Sequence, residues 1–118
     1  MTPSRAQPPT VIAIGGHSLL DPDLPPTVAN QFAVTRRAMK PIAELLDRGE
    51  HLVLTHGNGP QVGFMQLRSE MASEALPEVP LDSLVADSQG AMGYMIDRAL
   101  LALSQRLFPW AHQGEEAL

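Results

Sequence analysis

The 118-residue sequence contains no cysteine. Disulfides, thiolate zinc sites and a cysteine nucleophile are therefore excluded. Lysine is almost as scarce. Lys40 is the only one, and Lys and Arg together number 8 against 13 Asp and Glu. The resulting formal net charge of −5 argues against a general nucleic-acid surface, which needs clustered cations to displace counterions. No apolar run approaches the roughly 20 residues that cross a bilayer, and the N-terminus lacks the apolar stretch of a secretory signal. These absences predict a soluble intracellular protein with neither nucleic acid nor membrane as a partner. What is present suffices for one small domain: hydrophobic residues make up 44%, while 11 prolines and 9 glycines stay below the level of low complexity.

Residues 1–9 are polar and proline-rich and read as a flexible tail. Thr10-Val11-Ile12-Ala13-Ile14 is a short β-branched run ending at Gly15-Gly16. It suits a strand buried on both faces, as in parallel sheets. Asp21 to Pro26 holds three prolines and is a loop. Thr27 can cap a helix reaching Arg48, with Val28, Phe32, Ala38, Ile42, Leu45 and Leu46 as its apolar face. Pro41 should kink or split that helix near Lys40, and Gly49 is a suitable stop. His51 to Thr55 is a second buried strand, completing a right-handed βαβ unit. Pro60 suits the first turn of a helix running to about Ala75. A last helix, capped by Asp82, is expected from Leu81 to about Leu107, with Val85, Met92, Ile96, Leu100, Leu103 and Leu107 at helical spacing. Phe108-Pro109-Trp110 would end it, leaving 109–118 as a loose tail.

Two glycine-rich turns follow the two strands: Gly15-Gly16-His17-Ser18, and His56-Gly57-Asn58-Gly59-Pro60-Gln61-Val62-Gly63. Neighbouring parallel strands would bring both to the same C-terminal rim, where open α/β sheets bind ligands. Glycines let the main chain approach an anion, and the helix opening at Pro60 adds free N–H groups and a positive dipole end. The pair therefore reads as a phosphate or small-anion site. The competing reading is that the glycines serve only tight turns. No P-loop is present, and Gly57-x-Gly59-x-x-x-Gly63 is one residue too long for a dinucleotide fingerprint.

Among single residues, His56 is either a general base, imidazole being suited to proton transfer near neutral pH, or a turn histidine bonded to the backbone; the second is preferred. His17 is either an anion contact or an exposed polar residue. His51 and His112 read as surface residues, and the four histidines do not have metal-ligand spacing. Asp21 and Asp23 read as solvated loop residues, and Ser18 lacks the partners of a triad. Arg36, Arg37, Lys40 and Glu44 form a solvated helix face, and Met92 and Met95 belong to a core or an interface. Gly90 and Gly93 would allow another backbone or a ligand to come close.

Three segments in order resemble the carbamate kinases of the amino acid kinase superfamily: Val11 to Gly16; Ile42-Ala43-Glu44 and Gly49 with Thr55 to Gly63; and Pro80-Leu81-Asp82 with Ser88-Gln89-Gly90 and Gly93-Tyr94-Met95. The resemblance spans about residues 10–107. It implies a partial three-layer α/β/α sandwich with parallel strands, residues 10–108 being the carbamate- and phosphate-holding part. It implies reversible phosphoryl transfer between ATP and carbamate, giving ADP and carbamoyl phosphate with Mg2+. It also implies a cytoplasmic homodimer serving arginine breakdown. By motif position, Gly15, Gly16, Gly57, Asn58 and Gly59 would line the substrate site, with His17 where the family usually has Asn and Ser18 where Ala is usual. Asp87 stands where an apolar residue is usual and would repel an anion if it faced the site. Family members are considerably longer, and their nucleotide pocket, catalytic lysines and aspartate lie outside the matched part. The expectation is thus an incomplete portion, inactive alone and without a nucleotide site. The alternatives are an anion-binding or dimerising module without catalysis, or a decayed product.

Overall fold

The two β-branched runs pair as parallel neighbours. A computed structural model describes residues 7–104: β1 (Thr10–Ile14), a 3-10 turn (Gly16–Leu19), α1 (Val28–Asp47), β2 (Leu52–His56), α2 (Gly59–Met71) and α3 (Leu81–Leu103). The register runs from Thr10 opposite Leu52 to Ile14 opposite His56, so β2 starts one residue later than expected and takes in His56. The β1–α1–β2 unit thus forms as its pattern predicts.

Thr27 caps α1, its Oγ1 accepting from the Asn30 N–H at 3.1 Å. The helix is not split at Pro41. Pro41 is exposed, so the carbonyl that loses its partner can turn to water, while Met39, Ile42 and Ala43 on either side are buried. Gly49 ends the helix at φ 87°, with its N–H on Leu46 O and the Glu50 N–H on Leu45 O.

The core lies between one sheet face and the helices. Ile14, Leu19, Met39, Ile42, Ala43, Met92, Ile96, Ala99 and Leu100 form it, with Ile12, Leu52 and Leu54 packed against it. The expected stripe of α1 is corrected at one end. Val28 is 68% exposed because the first turn overhangs the core, and Thr35 and Met39 are fully buried instead. Thr35 is tolerated there because its hydroxyl reaches Met95 Sδ at 3.3 Å. On α3 the expected Met92, Ile96 and Leu100 are buried, joined by Leu84, Ser88 and Ala99. Pro80, not Asp82, is its N-cap, and Asp82 accepts from the Ser83 N–H inside the first turn. Two helices end earlier than expected. α2 stops at Met71, and α3 stops at Leu103, where Ser104 turns extended and donates to Asp47 Oδ1 at 2.7 Å. The expected stop at residues 108–110, the tail 109–118 and residues 1–6 lie outside the described residues.

The expectation of strands buried on both faces is corrected. Ile12, Ile14, Leu52 and Leu54 turn toward α1 and α3. On the opposite face Val11 is 63% and Val53 45% exposed. No described helix lies over that face, because α3 packs on α1 and α2 packs on α3 and the 3-10 turn. The described residues therefore supply a sheet layer and one helical layer.

Candidate functional site

The strand register delivers both glycine turns to one rim. Beyond the last paired residues, the Gly57 N–H continues the ladder onto Ile14 O at 2.9 Å. This draws the second turn against the first. A Cβ placed on Gly57 would lie 3.3 Å from the Gly16 nitrogen, and one placed on Gly16 would lie 3.3 Å from the Asn58 nitrogen. The two turns thus face each other so closely that neither Gly16 nor Gly57 has room for a side chain, and the main-chain nitrogens of Gly16 and Asn58 border the seam between them. None of Gly15, Gly16, Gly57 or Gly59 has a positive φ, so the requirement for glycine here is space rather than backbone conformation. That requirement holds for Gly16 and Gly57. A Cβ on Gly15 would meet only Ser18 Oγ at 3.7 Å, and one on Gly59, the first residue of α2, would meet nothing within 4 Å.

Gln61 ties the turns to each other and Ser88 ties Asn58 to α3, and neither Gln61 nor Ser88 was assigned a role from the sequence. Gln61, in the first turn of α2, donates from Nε2 to Gly16 O at 2.9 Å. Its Oε1 is buried without a partner among the described residues. Asn58 donates from Nδ2 to Ser88 Oγ on α3 at 3.0 Å. Ser88 is fully buried and donates in turn to Val85 O at 2.6 Å. Gln61 and Ser88 both line a cavity of about 270 Å³ between the start of α1, α2 and α3, together with Leu19, Phe64 and Met92.

His17 follows Gly16 and is exposed. It lines an open groove with Leu20, Asp21, Leu24, Pro60 and Phe64, adjoining the turns on their outer side. His56 Nδ1 lies 3.1 Å from Gly57 O, the backbone contact expected of a turn histidine. The Asp21 carboxylate accepts from the Asp23 N–H within its loop. Ser18, His51, Asp87 and the charged set Arg36, Arg37, Lys40 and Glu44 are exposed, while His112 lies outside the described residues. Around Gly90 and Gly93 nothing in the described residues comes within 4 Å of a Cβ position, so the close approach expected there is not made by this part of the chain. Among the described residues no group of three or more His, Asp or Glu could hold a metal ion. The two glycine turns carry no carboxylate that would hold Mg2+. No described helix is long and apolar enough to cross a membrane.

The rim is what this geometry can use chemically. The first N–H groups of α2 have no side-chain cap, since Asn58 makes no cap bond. Together with the nitrogens of Gly16 and Asn58 they offer donors without a formal charge, backed by a helix dipole of about half an elementary charge.

Comparison with known proteins places this arrangement. The family model described as the amino acid kinase family matches residues 8–108. Carbamate kinase 2 of Enterococcus faecalis is 46% identical over 91 residues, covering 76% of this chain and 28% of that protein. The carbamate kinase of Pyrococcus horikoshii is 41% identical over 92 residues, covering 76% and 29% respectively. Among solved structures, carbamate kinase from Giardia lamblia bound to AMP-PNP superimposes with a TM-score of 0.73 at 35% identity, over 85% of this chain and 34% of that one. The chain thus spans under a third of the length of the two curated relatives. With the glycine turns, the parallel register and the family match in agreement, the chain belongs to the amino acid kinase family and has the fold of its carbamate kinases.

Proposed function

We propose that residues 10–108 are the acceptor-side part of a carbamate kinase-type phosphotransferase, holding carbamate or the phosphoryl group of carbamoyl phosphate. The supporting observation is the close apposition of the two glycine turns at one sheet rim, where a Cβ on Gly16 or Gly57 would crowd the main chain of the facing turn. Gly15, Gly16, Asn58 and Gly59 bind through main-chain donors, Gly57 lines the site with its own N–H spent on Ile14 O, and His17 borders it. The chain by itself does not complete the transfer. Phosphoryl transfer needs cations that neutralise charge developing on the transferred oxygens. The single lysine, Lys40, is exposed on α1, and the turns carry no guanidinium. ATP or ADP, Mg2+ and the remaining charged groups would be held by parts corresponding to the rest of the longer relatives, in a cytoplasmic dimer.

The test has two arms. In a 1H–15N titration of the 118-residue chain with carbamoyl phosphate, saturable shifts are expected at the amides of Gly16, Gly57, Asn58 and Gln61. Their absence would remove the anion site. Incubation with ADP, Mg2+ and carbamoyl phosphate should yield no ATP; ATP made by the pure chain would overturn the claim of incompleteness.

A further inference from the structure

Asparagine is a preferred helix N-cap, its side-chain oxygen accepting from the N–H two or three residues on. Asn58 occupies that position on α2 and does not do this. Its backbone stands at φ −147° and ψ 10°, and its Nδ2 crosses to Ser88 Oγ, 30 residues away in sequence, at 3.0 Å. The Ser88 hydroxyl proton is committed to Val85 O at 2.6 Å, which leaves its oxygen free to accept and fixes its orientation. Ser88 is fully buried, and it lines the cavity between α1, α2 and α3. With Pro60 lacking an N–H, Gly59 and Gln61 carry the first free amides of α2, and a capping Asn58 would take the Gln61 amide for itself.

We infer that Ser88 is a positioning residue of the anion cradle: it holds the Asn58 carboxamide across to α3 and so keeps it from capping the helix whose amides face the anion. This gives the Ser88-Gln89-Gly90 segment a role in the site although it belongs to neither glycine turn. The inference rests on the proposed anion site for its ligand, but not for its hydrogen bond.

The experiment compares Ser88→Ala and Ser88→Thr in the full chain, with inorganic phosphate as the probe. Removing one neutral hydrogen bond is expected to weaken phosphate binding about three- to tenfold. Threonine keeps the hydroxyl, has the adjoining cavity for its methyl, and should restore affinity. In Ser88→Ala the Asn58 side-chain protons should exchange faster and the Gln61 main-chain amide more slowly, as the carboxamide swings onto it. In an Asn58→Ala background, Ser88→Ala should cost no further affinity. Equal loss in both backgrounds would show that Ser88 acts through general packing and would overturn the inference. So would unchanged exchange at Asn58 and Gln61. Should Ser88→Ala not fold, Ser88→Cys, close in volume and a weak acceptor, carries the same comparison. A wild-type chain that binds no phosphate would sink the anion site alone, and the exchange measurements would still decide whether Ser88 holds Asn58.

Discussion

A methyl group on Gly16 would meet Gln61 Oε1 at 2.8 Å, Pro60 Cδ at 3.2 Å and the Asn58 nitrogen at 3.3 Å. Gln61 is a side-chain end, but it is held by its own bond to Gly16 O. The other two atoms belong to a ring and to the main chain, so the turns must separate. Gly16→Ala is expected to destabilise the chain by about 1–3 kcal/mol and to weaken phosphate binding at least about tenfold, the range of overpacked sites. Gly59→Ala is the control, since its Cβ enters open space; it should change stability by no more than about 0.5 kcal/mol. Thermal melting and an NMR phosphate titration read both, and equal losses in the two variants would show that turn contact is not what demands glycine at Gly16. At this scale the sequence was legible where chemistry is local. The two glycine turns announced themselves by their position after β-branched runs. Gln61 and Ser88 did not, because their bonds span 45 and 30 residues and no spacing rule encodes them.

At the scale of elements, helix starts and stops were readable because they rest on neighbouring residues: Thr27 bonds Asn30, and Gly49 adopts the positive φ that L side chains avoid. The face of α1 was less so. A helical period allows several stripes, and the choice between Val28 and the Thr35–Met39 pair depends on where α3 crosses. Pro41 shows the same limit: its local cost is overridden by burial of Met39, Ile42 and Ala43 around it. Two substitutions separate these effects. Thr27→Ala should cost about 1 kcal/mol through the lost cap. Pro41→Ala should stabilise the chain by about 1–2 kcal/mol, the recovered helical bond outweighing the greater freedom of the unfolded chain. Denaturant melts with unchanged slopes check both. A destabilised Pro41→Ala would mean that the ring is needed for packing rather than tolerated.

For the molecule as a whole, the apolar character of both strands was a correct guide to parallel pairing and an incorrect one to coverage. Runs such as Thr10 to Ile14 lack polar alternation because a parallel sheet in an α/β fold is covered twice. The described residues cover it once, and they match relatives more than three times as long. Val11 and Val53 are paired neighbours on the bare face, at the end of the strands opposite the glycine turns. Exposed apolar side chains left uncovered by the described residues promote association. The 118-residue chain is therefore expected to bind a hydrophobic dye and to self-associate at tens of micromolar, as an order of magnitude, in sedimentation velocity. The double substitution Val11→Lys and Val53→Lys should suppress both. It should leave phosphate binding intact, because Val11 precedes Ile14 by three residues, about 10 Å along an extended strand. A wild-type chain that stays monomeric and binds no dye would show that the bare face is not sticky. A double variant that still associates would move the contact elsewhere, with the exposed Leu67, Met71 and Tyr94 on α2 and α3 the next surfaces to substitute.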